Sequence, residues 1–223
     1  MARGTVGTRG PWAWSEERGA DVSAERDALK TYRGKRRFDR TAEPQGEGRP
    51  HADEPRYVVQ IHDATTLHFD FRLEWDGVLK SWSVPKGPSM DPKDKRLAMP
   101  TEDHPLEYRT FEGVIPRGEY GAGSVIVWDQ GTYEPLSKDF GKALRKGHIS
   151  FRLRGGKLPG DWALTRFRSG GDGEREAWLL VKENDSHASS RGTPDPWRVR
   201  SALSNRSLKR VAEQPEAEWH RSS

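Results

Sequence analysis

The 223-residue chain contains no cysteine. This excludes a disulfide framework, a thiolate metal site and a cysteine nucleophile, and leaves His, Asp, Glu or water to hold any metal. Hydrophobic residues are scarce, at 32%, and the mean hydropathy is −0.96. No apolar run approaches the roughly 18 residues that span a bilayer. The opening MARGTVGTRGPWAW also lacks the apolar stretch of a secretory signal. These absences predict a soluble cytoplasmic protein with no membrane partner. What is present is aromatic mass: nine Trp, seven Phe and five Tyr, each able to bury a large area. The net charge of +4 and pI of about 9.3 fit a polyanionic partner, or a basic surface that is only solvated.

These residues are unevenly spread. Residues 1–23 are Gly/Arg-rich and aperiodic, and read as a disordered extension. AERDALKTY, residues 24–32, has the pattern of a short helix. It runs into LKTYRGKRRFDR, where residues 26–40 hold seven Lys/Arg against two Asp. Such an arm suits a phosphate backbone or is a solvated charge run. PQGEGRPHADE, residues 44–54, has linker composition. From Arg56 to Lys182 the runs RYVVQIH, LHFDFRLEW, VLKSWSVP, GSVIVWD, GTYEP, HISFRLRG, DWALTRF and EAWLLVK alternate with turns. That rhythm predicts an antiparallel sheet, sandwich or barrel. SKDFGKALRKG predicts one helix, with Ser137 as N-cap, Arg145 and Lys146 in its last turn and Gly147 as its stop. Residues 184–223 read as a flexible basic tail with a helical turn near Leu208. The expected domain therefore covers residues 24–183, basic arm included.

Chemistry concentrates in QIHDATTLHFDFRLEWDG, residues 60–77. In LHFDFRLEW the apolar Leu67, Phe69, Phe71, Leu73 and Trp75 alternate with His68, Asp70, Arg72 and Glu74. On a strand the four polar groups share one face. HDATT can turn a hairpin and set His62 across from the His68/Asp70 pair. Two imidazoles and a carboxylate then converge as ligands suited to Mn²⁺, Fe²⁺ or Zn²⁺. The same spacing also describes a hydrogen-bonded His–Asp pair, and Arg72 either grips phosphate oxygens or forms a salt bridge with Glu74 or Asp76. Lys86 and Arg96 supply further positive charge, or are ordinary loop cations. His104, before a proline, is a loop imidazole placed to protonate a leaving oxygen or to lie idle at the surface. GVIPRGEYGAG, residues 113–123, lacks the ending of a phosphate loop and reads as a turn into GSVIVWD.

At these residues the chain resembles the 3′-phosphoesterase module of bacterial DNA ligase D and its free-standing relatives. The matching text is KRRFDRTAEP, RYVVQIHDATTLHFDFRLEWDGVLKSWSVPKGPS, RLAMPTEDHPLEYRTFEGVIPRGEYGAGSVIVWDQGTYEP and EAWLLVKE, over roughly residues 30–183. The resemblance implies a mainly β fold, a small antiparallel β-barrel with one or two short helices and an active site on an outer groove. It implies Mn²⁺, or another divalent transition metal, on His62, His68 and Asp70. It implies catalytic roles for Arg72, His104 and Tyr108, and substrate binding by Gln60, Lys86, Arg96, Arg36 and Glu43. The implied substrate is a DNA primer-template with a 3′-ribonucleotide or 3′-phosphate end, processed to a 3′-OH. The implied setting is end joining near the nucleoid, beside Ku and a separate ligase or polymerase, since neither of those domains fits in this chain. One departure concerns the arm, where the family usually reads Arg-Asp-Phe and this chain reads Arg36-Arg37-Phe38. Losing that carboxylate is expected to weaken an arm contact or alter substrate handling.

Two other readings fit the same residues. A 2-His-1-carboxylate set on a barrel also describes non-haem Fe(II) oxygenases, and a basic β-barrel also serves as a non-catalytic nucleic-acid-binding module of a repair complex.

Overall fold

The computed structural model describes residues 28–46, 54–171 and 173–214. The expected disordered extension lies outside the described residues, as does most of the expected linker.

A short helix, α1 (Lys30–Gly34), precedes strands β1 (Arg56–Asp63), β2 (Leu67–Trp75), β3 (Val78–Val84) and β4 (Arg96–Pro100). A 3₁₀ turn over Leu106–Thr110 leads to β5 (Gly113–Ile115) and the long β6 (Gly123–Pro135). Helix α2 (Phe140–Lys146), strands β7 (His148–Gly155), β8 (Gly160–Arg168) and β9 (Ala177–Lys182), and helix α3 (Leu208–Glu213) complete the order. Eight strands run β1-β2-β3-β4-β9-β8-β7-β6, and β6 pairs back onto β1 to close an antiparallel barrel, which removes the open edges of the sheet. The ninth strand, β5, adds to the first residues of β6.

Alternation decides what enters the barrel. Tyr57, Val59 and Ile61 of β1 and Phe69, Phe71 and Leu73 of β2 fill the interior with Trp82, Phe151, Trp162 and Trp178. The opposite face of these strands is covered as well. Leu29, Tyr32, Leu106, Tyr108 and Phe111, from the arm and the 3₁₀ turn, form a second apolar cluster with Leu79 and Val125. The polar face of β2 therefore lies beneath a layer: Asp70, Arg72 and Glu74 are all buried.

Several local expectations change. GSVIVWD and GTYEP are one strand, because Gly131 does not break β6 but pairs with Tyr57 on one side and Gly155 on the other. A side chain at Gly131 would collide with the Arg154 carbonyl, so glycine is what lets three strands meet there. The N-cap of α2 is Asp139, whose carboxylate accepts from the Lys142 amide, and not Ser137, whose hydroxyl accepts from Ser150 of β7. Gly147 ends that helix in the left-handed region as expected. Residues 184–214 are not a loose tail. They bond to the loop after β3 through Met90, Arg191 and Thr193, return to β6 through Ala202 and Val127, and bury Leu208 and Val211 in the barrel's main cluster. No helix among the described residues is long and apolar enough to cross a membrane.

Candidate metal and phosphate site

The three-residue turn between β1 and β2 sets the register of the hairpin, and His62 falls directly opposite His68, with Gln60 opposite Asp70. The outward side chains of two adjacent strands are thereby brought together. One ligand atom from each of His62, His68 and Asp70 lies within 4.8 Å of the others. His62 Nδ1 is 3.7 Å from Asp70 Oδ2, and His68 Nε2 is 3.6 Å from Asp70 Oδ1. These separations exceed hydrogen-bonding distance. Two ligands each ~2.1 Å from an ion in tetrahedral array stand ~3.4 Å apart, near the two His–Asp separations, while the set as a whole lies within 4.8 Å.

The far nitrogen of each ring is fixed. His62 Nε2 meets the Gly121 carbonyl and His68 Nδ1 meets the Thr66 carbonyl, both at 2.8 Å. A carbonyl only accepts, so each of these nitrogens carries the proton and the lone pair faces Asp70. Orientation of an imidazole by a backbone carbonyl is the usual outer support of a metal-binding histidine. Burial would raise the Asp70 carboxyl, but the adjacent Arg72 guanidinium outweighs it and holds it well below the usual carboxylate range. Asp70 is therefore ionised, and the donor set fits a divalent ion.

Arg72 is the next outward residue on β2. Its Nη2 donates to Asp70 Oδ2 at 3.0 Å and its Nε to Gln60 Oε1 at 2.9 Å, rather than to Glu74 or Asp76. The buried Nη1 has no acceptor among the described residues. An unpaired guanidinium nitrogen is costly in a buried site, and an anionic ligand would relieve that cost. Gln60 is fully buried and committed: it also donates to the carbonyls of Tyr108 and Phe111, and so positions Arg72.

His104 approaches from the loop beyond β4. Its Nδ1 donates to the Glu102 carbonyl and its Nε2 accepts from Arg36 Nη2 at 3.4 Å. Burial, then Arg72 and Arg36, push the imidazole well below its ordinary value, so it is neutral in the resting site. Behind it the Tyr108 ring lies 4.9 Å from the Arg72 guanidinium, and its hydroxyl donates to Glu43 at 3.0 Å. Glu43 also accepts from Arg36 and Thr41. Tyr108 and Glu43 thus act on the site through Arg72 and Arg36.

Residues 60–166 match the sequence profile of the DNA Ligase D 3′-phosphoesterase domain. The chain belongs to that family. It is 52% identical over 185 residues to the multifunctional non-homologous end joining protein LigD of Pseudomonas aeruginosa, covering 81% of this chain and 22% of that protein. The corresponding LigD of Mycobacterium tuberculosis is 48% identical over 141 residues, covering 63% and 18%, and that of Mycolicibacterium smegmatis 43% over 165 residues, covering 71% and 21%. This chain spans about a fifth of the length of these curated relatives.

Among the described residues, Lys86 and Arg96 form no hydrogen bond or ion pair with His62, His68 or Asp70. Lys86 is exposed in the turn that follows β3 at the His68 end of β2. Arg96 has the strand parity of the inward-facing Ala98 and donates to Asp94 at 2.8 Å. Arg37, the departure in the arm, makes a two-pronged ion pair with Glu119, at 2.7 and 3.1 Å. It does not leave the arm loose but ties it to the loop that carries Gly121.

Sequence reasoning missed Glu102, which receives Arg36 and Lys35, and Glu119. Their only signal was acidic residues within the loops of His104 and Gly121. The two carbonyls that orient the histidines leave no sequence signal, because every residue has one.

Proposed function

We propose that this protein is a divalent-metal-dependent phosphoesterase that hydrolyses phosphate esters at 3′ ends of DNA. What carries the reading is the convergence of two imidazole lone pairs on one ionised carboxylate, with each ring held from behind by a carbonyl. The donors His62 Nδ1, His68 Nε2 and an Asp70 oxygen suit Mn²⁺, the ion that the family resemblance implies, and also Fe²⁺ or Zn²⁺. Such an ion, when bound, polarises a phosphoryl oxygen and lowers the pKa of water.

The protein's own groups supply the rest. Arg72 Nη1, without an acceptor among the described residues, is the donor for a phosphate oxygen, and its fork is held rigid by Gln60 and Asp70. Neutral His104 has its lone pair on Nε2. A dianionic phosphate beside it raises its affinity for a proton. Water adds to phosphorus, the bond from phosphorus to the 3′ oxygen breaks, and His104 passes a proton to that oxygen, leaving a 3′-OH. A terminal ribonucleoside joined through a 3′ phosphodiester is removed in the same site: water adds to phosphorus, the bond from phosphorus to the ribonucleoside's 5′ oxygen breaks and that oxygen takes the proton, leaving the 3′-phosphate as the next substrate. End joining is the proposed setting, where a Ku-type protein and a separate ligase or polymerase use the 3′-OH.

The test is phosphate release from a primer-template with a 3′-phosphate and from its 5′-phosphate counterpart, with Mn²⁺ and with chelator. The reading expects release from the 3′ end alone, abolished by chelator and by His68→Ala. Full activity of His68→Ala, or no metal requirement, contradicts it.

A further inference from the structure

The loop over residues 116–122 carries a large aromatic side chain that the site described so far does not use. Tyr120 is 51% exposed, in a protein whose other rings are mostly buried. Its neighbour Gly121 supplies the carbonyl that orients His62, so the ring stands one residue from the cluster. Four arm cations meet this loop, Arg40 among them through an ion pair with Glu119 at 3.4 Å. Lys35 Nζ lies 4.5 Å from the Tyr120 ring centroid and donates to its hydroxyl at 3.2 Å, Arg36 lies 5.7 Å from the same ring, and Arg37 grips Glu119. The Glu119 side chain is only 5% exposed, so the base of the loop is anchored while the ring of Tyr120 remains open.

An exposed ring with cations against it, beside a site for a phosphate on a nucleic-acid strand, has the make-up of a stacking platform. Every base offers a π-face, and cations along the platform attract the phosphates to either side. We propose that Tyr120 stacks on the base of the nucleotide whose 3′ oxygen carries the scissile phosphate, and that the arm, through Lys35 and Arg37, holds the ring in place. This rests on the functional reading above, and it adds a binding site for the terminal base. That nucleotide is common to the diester and monoester reactions, so one platform serves both.

The test uses two fluorescent primer-templates with a 3′-phosphate, one ending in a normal nucleotide and one in an abasic tetrahydrofuran unit. Kd is read by anisotropy with turnover blocked by chelator. Base stacking on an aromatic side chain corresponds to roughly five- to a hundredfold in affinity. The full-length protein is expected to prefer the base-bearing end by a ratio in that range. Tyr120→Ala brings the ratio near one, and Tyr120→Phe, which keeps the ring but loses the Lys35 hydrogen bond, retains it. A ratio near one in the unmodified protein, or an undiminished ratio in Tyr120→Ala, overturns the proposal. Loss of the ratio in Tyr120→Phe overturns it in favour of a hydroxyl contact. Phosphate release from the same primers with Mn²⁺ is scored separately, so failure of hydrolysis counts against the function and not against the platform.

Discussion

Arg72 Nη2 lies 3.0 Å from Asp70 Oδ2, two residues apart on one face of β2, while Arg72 Nη1 finds no acceptor among the described residues. One bond fixes the guanidinium beside the carboxylate, and the unused nitrogen is left for a ligand. Lysine cannot replace this fork, since a single ammonium cannot hold Gln60 and Asp70 and still present a third donor. Arg72→Lys is expected to lower phosphate release ~10²- to 10³-fold, the scale of removing one preorganised donor. Steady-state kinetics check this, and a loss below tenfold would show that Arg72 is structural.

His104 links pH to stability. Its folded value lies below the ordinary 6.5 because of burial and then Arg72 and Arg36. Above about pH 6.5 both folded and unfolded states hold it neutral, and its contribution is fully present. As the pH falls below 6.5 the unfolded chain takes up the proton first, so stability is lost on acidification. Urea unfolding between pH 7.5 and 5 should show a fall that is shallower in His104→Gln. Identical slopes would mean that the imidazole is not held neutral.

The arm offers a reciprocal test. Arg37→Asp, which restores the residue type common in the family, places a carboxylate against Glu119 and should release the arm from the loop. Its KM for a 3′-phosphate primer is expected to rise several-fold, and the double variant with Glu119→Arg should recover most of the loss. An unchanged KM in Arg37→Asp would mean that the ion pair has no part in substrate handling.

Residues 184–214 are integral to the fold in this account. Leu208 is 1% exposed within the main cluster, so Leu208→Ala should destabilise by about 2–5 kcal/mol, as buried Leu truncations do. Denaturant midpoints measure this directly. A change under about 0.5 kcal/mol, typical of surface positions, would mark the helix as loosely docked.

What the sequence made legible was local and periodic. Alternation through His68, Asp70 and Arg72 predicted a common face, and the short HDATT turn predicted that His62 would stand across from it. The same reasoning failed where pairing is brief or one-sided. β4 was hidden because RLAMP is short and follows a charged turn, and β5 because only three residues pair. The helical turn expected near Leu208 is present as α3, but the burial of Leu208 and Val211 against the barrel left no signal, because two apolar side chains in a polar stretch give no period. The network of Glu43, Arg36, Tyr108 and His104 joins parts of the chain up to 68 residues apart. Local sequence pointed to His104 and the family resemblance to the other three, and their roles come from contacts that no spacing encodes. Arg37 shows the limit most plainly, since its departure from the family pattern was visible but its partner Glu119 was not.

His62, His68 and Asp70 are expected to hold a single metal ion. Titrating Mn²⁺ into the protein while following the electron paramagnetic resonance of the free aqua ion counts bound ions directly. One ion per chain should be taken up, and Asp70→Asn should lose that uptake while keeping its fold by circular dichroism. No saturable uptake, or equal uptake by folded Asp70→Asn, would contradict it.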